Sequence, residues 1–336
     1  MLQKQLLCSE QPFCLEISTP GILDELTLQP TVRHPPDPGE VEIQICAAGL
    51  NFRDVMKALG IFPDISEGSI TFSGDCAGRI VAVGEDVEGF ELGDEVMGIA
   101  PISFSSFATI PTYLLVPKPS NFSFEEAVTI PSTFLTAYYA LYHLGRLSKG
   151  DRVLIYAAAG GVGLAAVQLS QIAGAEIFAT AGNPEKREFL CSFGINYVMD
   201  SRTLTFADEV MELTNSKGVD VILNSLAGEF LPKSLSVLAK FGRFLEIGKQ
   251  DIYKNSQLGL YPFRNNLSFF AIDLEQVWLE RPNFTMSLFR EVMQYFEDGI
   301  LKPLPHKVFP ILEVVSAFRY MRKAKHIGKI VVSLTN

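Results

Sequence analysis

The sequence predicts an α/β protein in two parts, a small β-barrel and a doubly wound parallel sheet. Three observations predict it. Short strand-like runs with Gly and Asp turns fill residues 1 to about 120, the pattern of a small barrel. From Asp151 onward strand and helix patterns alternate, which implies parallel strands joined by crossover helices. Between Arg152 and Asn183 the chain reads RVLIYAAAGGVGLAAVQLSQIAGAEIFATAGN. This is a buried strand, a glycine turn, an amphipathic helix and a second strand.

In chain order, Val32 to Gly39 is a proline-rich turn, and Val41 to Ala47 alternates as a strand does. Asn51 to Leu59 is predicted as a short helix capped by Asn51. Arg79 to Val83 and Tyr113 to Pro117 read as strands, Phe124 to Ala127 and Thr133 to Leu144 as helices. In the second part the predicted strands are Val153–Ala157, Glu176–Thr180, Tyr197–Met199, Val219–Asn224, Arg243–Ile247 and Leu267–Ile272. The helices between them are Val162–Ala173, Pro184–Phe193, Phe206–Thr214 and Leu231–Leu238. One long helical stretch follows Asp273 to about Phe296. A helix at Leu312–Ala324 and a strand at Lys329–Leu334 close the chain and are expected to return to the first part. The expected division is 1–122 with 299–336, and 123–298.

Gly160, Gly161 and Gly163 stand between a strand and a helix, where the backbone can approach a pyrophosphate and the helix N-terminus offers free N–H groups. Ala158 occupies the place of the first glycine of the usual fingerprint, and a tight structural turn is the alternative. An NAD site places an acid about 20 residues further on. Here the chain reads Thr180-Ala181-Gly182-Asn183, followed by Lys186 and Arg187. No acid and nearby cations suit a 2′-phosphate, hence NADPH; a solvated helix face is the other reading of both cations.

The formal charge is 28 − 38 = −10, which argues against a nucleic-acid partner. The five cysteines, at 8, 14, 46, 76 and 191, are odd in number and scattered, as expected in a reducing compartment. Lys4, Glu10 and Glu16 interrupt any signal peptide, and no apolar run approaches the ~18 residues of a membrane span. A cytoplasmic protein without a membrane partner is expected. A hydrophobic share of 48% is ample for two cores.

Nine stretches, in this order, resemble the zinc-independent medium-chain dehydrogenase/reductase family, and within it the enoyl reductase domain of a modular polyketide synthase. They are GLNFRDVMKALG at 49–60, GDCAGRIVAVG at 74–84, LGDEVMGIA at 92–100, IPSTFLTAYYAL at 130–141 and VLIYAAAGGVG at 153–163. They continue with GVDVILNSLAGE at 218–229, GRFLEIGKQDI at 242–252, FFAIDL at 269–274 and HIGKIVV at 326–332. The resemblance implies a GroES-like substrate domain and a Rossmann domain with the active site in the cleft between them. It implies NADPH reduction of an enoyl thioester on the phosphopantetheine of an acyl carrier protein, beside other domains of a polyketide synthase. The implied cofactor contacts are Thr136, Gly160, Gly161, Val162, Gly163, Lys186, Arg202, Asn224, Leu226 and Gly248. Relatives often carry His where Tyr156 stands and Glu where Asp75 stands. Some carry a tyrosine in the region Asn51–Pro63; Phe52 and Phe62 lack that hydroxyl, which leaves the stereochemical outcome open.

Alcohol-oxidising relatives hold zinc with Cys, His and an acid. Cys46, Cys76 and the histidines at 34, 143, 306 and 326 do not have that spacing, and no four-Cys lobe exists. Conjugate reduction needs no Lewis acid, because hydride at Cβ leaves an enolate that hydrogen bonds can hold. The resemblance places Lys249 among proton donors at Cα, with Asp273 as second donor or as the group orienting it. Asp273 with Gln276 is also a helix-capping pattern. A nearby carboxylate opposes the desolvation that makes an ammonium a good donor. Direct donation therefore suits an Asp273 turned away, and otherwise water is the donor. Asn51 and Asp54 are cap or substrate contact; Asn224 and Ser225 are cofactor contact or polar turn; Tyr156 reaches the nicotinamide or packs. The stripe Phe289, Met293, Phe296 reads as core and His143 as structural. Arg319, Arg322, Lys323 and Lys325 are a carrier dock or, better, a solvated helix face. Other outcomes are a quinone or alkenal reductase, a non-catalytic NADPH-binding protein, and a variant that closes a cyclopropane from a γ-halo enoyl thioester.

Overall fold

A computed structural model describes residues 11–62 and 70–335. Lys4, Cys8, Glu10 and Pro63, named above, lie outside the described residues. In chain order the elements are β1 (Phe13–Ile17), β2 (Leu26–Pro30), β3 (Glu40–Leu50), α1 (Phe52–Ala58), β4 (Gly74–Val83), β5 (Glu95–Ala100), β6 (Phe107–Pro111) and β7 (Leu115–Pro117). Then come α2 (Phe124–Ala127), α3 (Pro131–Tyr138), a π-helical turn over Tyr139–Leu144, β8 (Arg152–Ile155), α4 (Gly161–Ala173), β9 (Glu176–Ala181), α5 (Pro184–Ser192) and β10 (Tyr197–Asp200). They are followed by α6 (Phe206–Leu213), β11 (Val219–Asn224), α7 (Phe230–Leu235), β12 (Leu238–Glu246), α8 (Gln250–Tyr253) and β13 (Ser268–Ala271). The chain ends with α9 (Leu274–Glu280), α10 (Pro282–Glu297), β14 (His306–Pro310), α11 (Val314–Arg322) and β15 (Lys329–Ser333).

The chain divides into two compact units, Met1–Ser132 with Val277–Asn336, and Thr133–Gln276. The first unit is the GroES-like part. Its seven-stranded sheet runs β14-β15-β3-β4-β5-β7, with β6 also on β3, and β1 pairs with β2. The tail does return here: β15 pairs antiparallel with β3, Ile330 opposite Leu50. Its core closes on Phe72, Phe104 and Phe318, all fully buried. The Phe72 and Phe318 rings meet edge to face at 5.5 Å, an arrangement favoured by the ring quadrupoles.

The second unit is the Rossmann-like sheet, six strands in the order β10-β9-β8-β11-β12-β13. Every pairing in it is parallel. Both faces are covered, so the strands read as apolar runs rather than alternating ones. Leu154, Phe178, Ile222 and Phe244 belong to one buried cluster on this sheet.

Several expectations are corrected. Tyr113–Pro117 is a 3₁₀ turn over Thr112–Leu114 and only then a strand. The helix predicted at Leu231–Leu238 ends at Leu235, and Leu238 already opens β12. The long helix after Asp273 is two helices. Pro282 supplies no N–H and pushes the residue before it out of the helical region; Arg281 sits at φ −136°, ψ 62°.

Candidate functional site

The glycine turn lies at the carboxyl end of β8, in the middle of the Rossmann-like sheet. Ala157 takes a left-handed φ of 49° there, a conformation that costs a residue with a Cβ. Gly163, inside the first turn of α4, allows close approach: a Cβ on it would lie 2.5 Å from the Ala157 carbonyl and 2.6 Å from Ala158 Cα. The first N–H groups of α4, from Gly161, Val162 and Gly163, have no acceptor within the helix. They are aimed where an anion fits.

At the end of β9, Lys186 and Arg202 share one corner. Burial, and next the Arg202 charge, hold the Lys186 ammonium below its usual value. The Arg202 guanidinium lies over Gly182, where a Cβ would come 2.9 Å from its Nε. Two cations crowded beside a half-buried turn fit the phosphate of a nucleotide. Arg187 is engaged elsewhere, with Asp200 at 3.2 Å and the Ala181 carbonyl at 3.2 Å. The Thr180 hydroxyl, fully buried, has no hydrogen-bond partner.

Further along the same carboxyl edge, Lys249 and Asp273 meet. Lys249 Nζ is 2.8 Å from Asp273 Oδ2 and donates to the Ile272 carbonyl at 2.8 Å. Asp273 Oδ1 meanwhile accepts from the N–H groups of Glu275 and Gln276 at 3.1 and 3.4 Å. The capping and pairing roles coexist, one on each oxygen. Asn224, at the end of β11, is fully buried and donates to Glu246. Leu226 and Gly248 lie beside them and are half-buried.

The first unit holds a second polar group. Lys329 Nζ lies 2.6 Å from both Asp75 Oδ2 and Asn51 Oδ1, and is 3% exposed. Asn51 Nδ2 donates to Asp75 at 3.0 Å, and Asp75 Oδ1 accepts from the Ser132 N–H at 2.7 Å and its hydroxyl at 2.5 Å. The Asn51 amide is thus fixed in one orientation by a buried ion pair. Asp54 Oδ2 accepts from the Asn51 N–H at 2.8 Å and so holds the start of α1. Its Oδ1 is buried without a partner. Burial pushes the Asp54 carboxyl up to about 6, against Arg53, the Asn51 N–H, Lys329 and Lys57. Arg53 donates to the Ser73 carbonyl and hydroxyl at 2.9 and 3.0 Å.

Tyr156 does not face the cofactor edge. It is 2% exposed in the sheet core, with its hydroxyl 2.6 Å from Ser234 Oγ and its ring edge-on to Phe206. Thr136 is half-buried on α3. His143 stacks on Tyr139. Phe289, Met293 and Phe296 are buried, as a core stripe is. Phe52 is 60% exposed. Arg319 pairs with Asp24, and Arg322, Lys323 and Lys325 are exposed. Among the described residues no group of three or more His, Cys, Asp and Glu is placed to hold a metal ion.

Lys329 and Glu246 were not singled out from sequence. The signal was present in both: each is a charge inside a run of apolar strand residues, KIVV and RFLE. Such a charge is buried only with partners.

A GroES-like domain and a Rossmann-like sheet with a glycine turn define a medium-chain dehydrogenase/reductase, a fold that carries a nicotinamide cofactor. Comparison agrees. A family model for the alcohol dehydrogenase GroES-like domain matches residues 37–120, and one for zinc-binding dehydrogenase matches 193–332. The CurK enoyl reductase structure is 48% identical, covers 96% of this chain and 99% of that one, and superposes with a TM-score of 0.88. The CurF ER cyclopropanase from the curacin A biosynthetic pathway is 44% identical, with the same coverage and a TM-score of 0.89. A phenolphthiocerol/phthiocerol polyketide synthase polypeptide of Mycobacterium tuberculosis (strain ATCC 25618 / H37Rv) is 42% identical over 320 residues, 95% of this chain. The chain spans 15% of the length of that relative. It belongs to the medium-chain dehydrogenase/reductase family, among the enoyl reductases of polyketide synthases. No helix among the described residues is long and apolar enough to cross a membrane.

Proposed function

We propose that this chain is an NADPH-dependent enoyl reductase acting on an enoyl thioester carried by the phosphopantetheine of an acyl carrier protein, as one domain of a polyketide synthase. The observation that carries the reading is the Lys249–Asp273 pair at 2.8 Å on the carboxyl edge of the Rossmann-like sheet, in a chain that matches an enoyl reductase over nearly its whole length. Doubly wound sheets bind their ligands at this edge.

The residues divide the work. The α4 N-terminus holds the pyrophosphate, and Lys186 with Arg202 holds the 2′-phosphate. Asn224, Leu226 and Gly248 receive the nicotinamide end, and Thr136 adds a further contact. The bound nicotinamide supplies hydride to Cβ of the substrate. Negative charge then develops on Cα and the thioester oxygen, where fixed donors stabilise it. Asn51, its amide locked by Lys329 and Asp75, serves as a substrate contact. Lys249 holds its charge near Cα, and Asp273 orients it. With Asp273 facing Lys249 rather than turned away, water is the favoured final donor and the ammonium orders it. The test is to run the reaction in deuterated water with protiated NADPH. The proposal expects one solvent deuterium at Cα and none at Cβ; label at Cβ would overturn it.

One observation favours a second reading, the 44% identity to the CurF ER cyclopropanase. Phe52 and Phe62 offer no hydroxyl, and slow protonation gives a carbanion at Cα time to displace a leaving group at Cγ. Hydride enters, the new C–C bond closes the ring, and chloride departs from a γ-chloro substrate. Mass spectrometry of the product separates the two. A saturated product that retains chlorine excludes ring closure for that substrate.

A further inference from the structure

We propose that Glu246 is a positioning residue whose carboxylate clamps the ends of β11 and β12 and so sets the cofactor-binding edge of the sheet. The inference rests on the reading of this edge as the nicotinamide site.

Three strand ends meet here in register: Asn224 is opposite Glu246, and Glu246 opposite Ala271. Glu246 is 4% exposed. Its Oε2 accepts from Asn224 Nδ2 at 2.5 Å, and its Oε1 from the Gly248 N–H at 2.6 Å. The Asn224 amide in turn bridges Leu226, donating to its carbonyl at 2.8 Å and accepting from its N–H at 3.3 Å. Asn224, Leu226 and Gly248, all three assigned to the cofactor, therefore hang on one carboxylate. The carboxylate also fills the space a side chain would need at 248: a Cβ there would lie 2.6 Å from Glu246 Oε1. The main chain continues the clamp. The Ile247 N–H donates to the Asn224 carbonyl at 2.9 Å and the Ile272 N–H to the Glu246 carbonyl at 2.8 Å. Lys249 and Asp273 each follow directly on these tied residues, so the clamp also fixes where that pair stands.

Both carboxylate oxygens accept from N–H donors, and the ionised form accepts more strongly at both. A proton on either oxygen weakens the bond that oxygen accepts. Burial pushes Glu246 up to about 7, and Asp251 adds to the rise. Asn224, the Gly248 N–H and Lys249 oppose it. Asp251 and Lys249 are the charged groups that act on it, with Asp273 beyond Lys249; Asp251 also accepts from the Gly228 N–H at 2.8 Å. The clamp is therefore expected to tighten as pH rises through about 7 and to loosen as it falls.

The experiment is NADPH binding, followed by cofactor fluorescence, on the wild-type protein and Glu246→Gln at pH values on either side of about 7. Glutamine keeps the volume but turns an NH₂ group against one of the two donors. The wild type is expected to tighten with pH more than the variant does. The variant is expected to bind about tenfold more weakly at the alkaline end, as for a lost charge-assisted hydrogen bond. Titration of the cofactor's own phosphate is common to both proteins and cancels. Asn224→Ala removes one donor and is expected to move the wild-type midpoint to higher pH, which supplies a second variant. Binding with parallel pH profiles in wild type and variants overturns the inference alone. No NADPH binding by the wild type at any pH overturns the cofactor reading and the inference with it.

Discussion

Replacing Lys249 by alanine separates catalysis from stability at one position. The side chains of Lys249 and Asp273 are 24% and 25% exposed. A pair this open to water contributes about 0–1 kcal/mol to folding. Asp273 keeps its cap on α9 through Glu275 and Gln276 in the variant, so the fold is expected to hold. Turnover is another matter. A positioned acid contributes about 10²–10⁴-fold, or about 3–5 kcal/mol of barrier. Water is the final donor in this account, so Lys249→Ala is predicted to fall near the lower end, slowed about 10²-fold but not abolished. Asp273→Ala leaves Lys249 its bond to the Ile272 carbonyl and is predicted to cost less. The assay is steady-state NADPH consumption with a crotonyl-type thioester, repeated in deuterated water. A larger solvent isotope effect in Lys249→Ala is expected, because protonation then limits the rate. Unchanged turnover in both Lys249→Ala and Asp273→Ala would remove the pair from the chemistry.

Three further predictions follow from named contacts. Lys329→Met strands the fully buried Asp75 carboxylate and is predicted to cost about 3–5 kcal/mol in urea unfolding; a loss below about 1 kcal/mol would show the pair to be dispensable. Asp54 has a raised folded value, about 6 against 3.8, so the fold favours its protonated form. That stabilisation is complete below 3.8 and is lost as pH rises through about 6. Asp54→Asn is predicted to flatten this part of the stability profile; an unchanged slope would contradict it. NADPH is predicted to bind ahead of NADH, with Lys186→Ala narrowing the gap about tenfold; equal affinities in the wild type would refute the phosphate site.

Most of the architecture was legible in sequence, for reasons visible in particular segments. The β8–α4–β9 unit declared itself because a buried parallel strand is continuously apolar and the glycines sit at its end. The Asp273 cap was legible as a local pattern, and its pairing with Lys249 was held open. What the sequence hid were contacts made across the sheet. Nothing near residue 51 points to Lys329, which reaches it only because β15 pairs with β3. Glu246 likewise gains meaning only beside Asn224, on the next strand. Tyr156 was left between two roles, since strand alternation alone does not say which face of a doubly covered sheet a side chain enters; the structure shows the packing one. β1, β2 and β6 went unread individually, being short and paired with distant partners.

The most direct test of the account compares NADPH oxidation by this protein with a carrier-bound crotonyl thioester and with a quinone, each product being weighed. The account predicts rapid oxidation with the thioester and a saturated product heavier by two hydrogens. Oxidation with the quinone alone, or with neither acceptor, would contradict it.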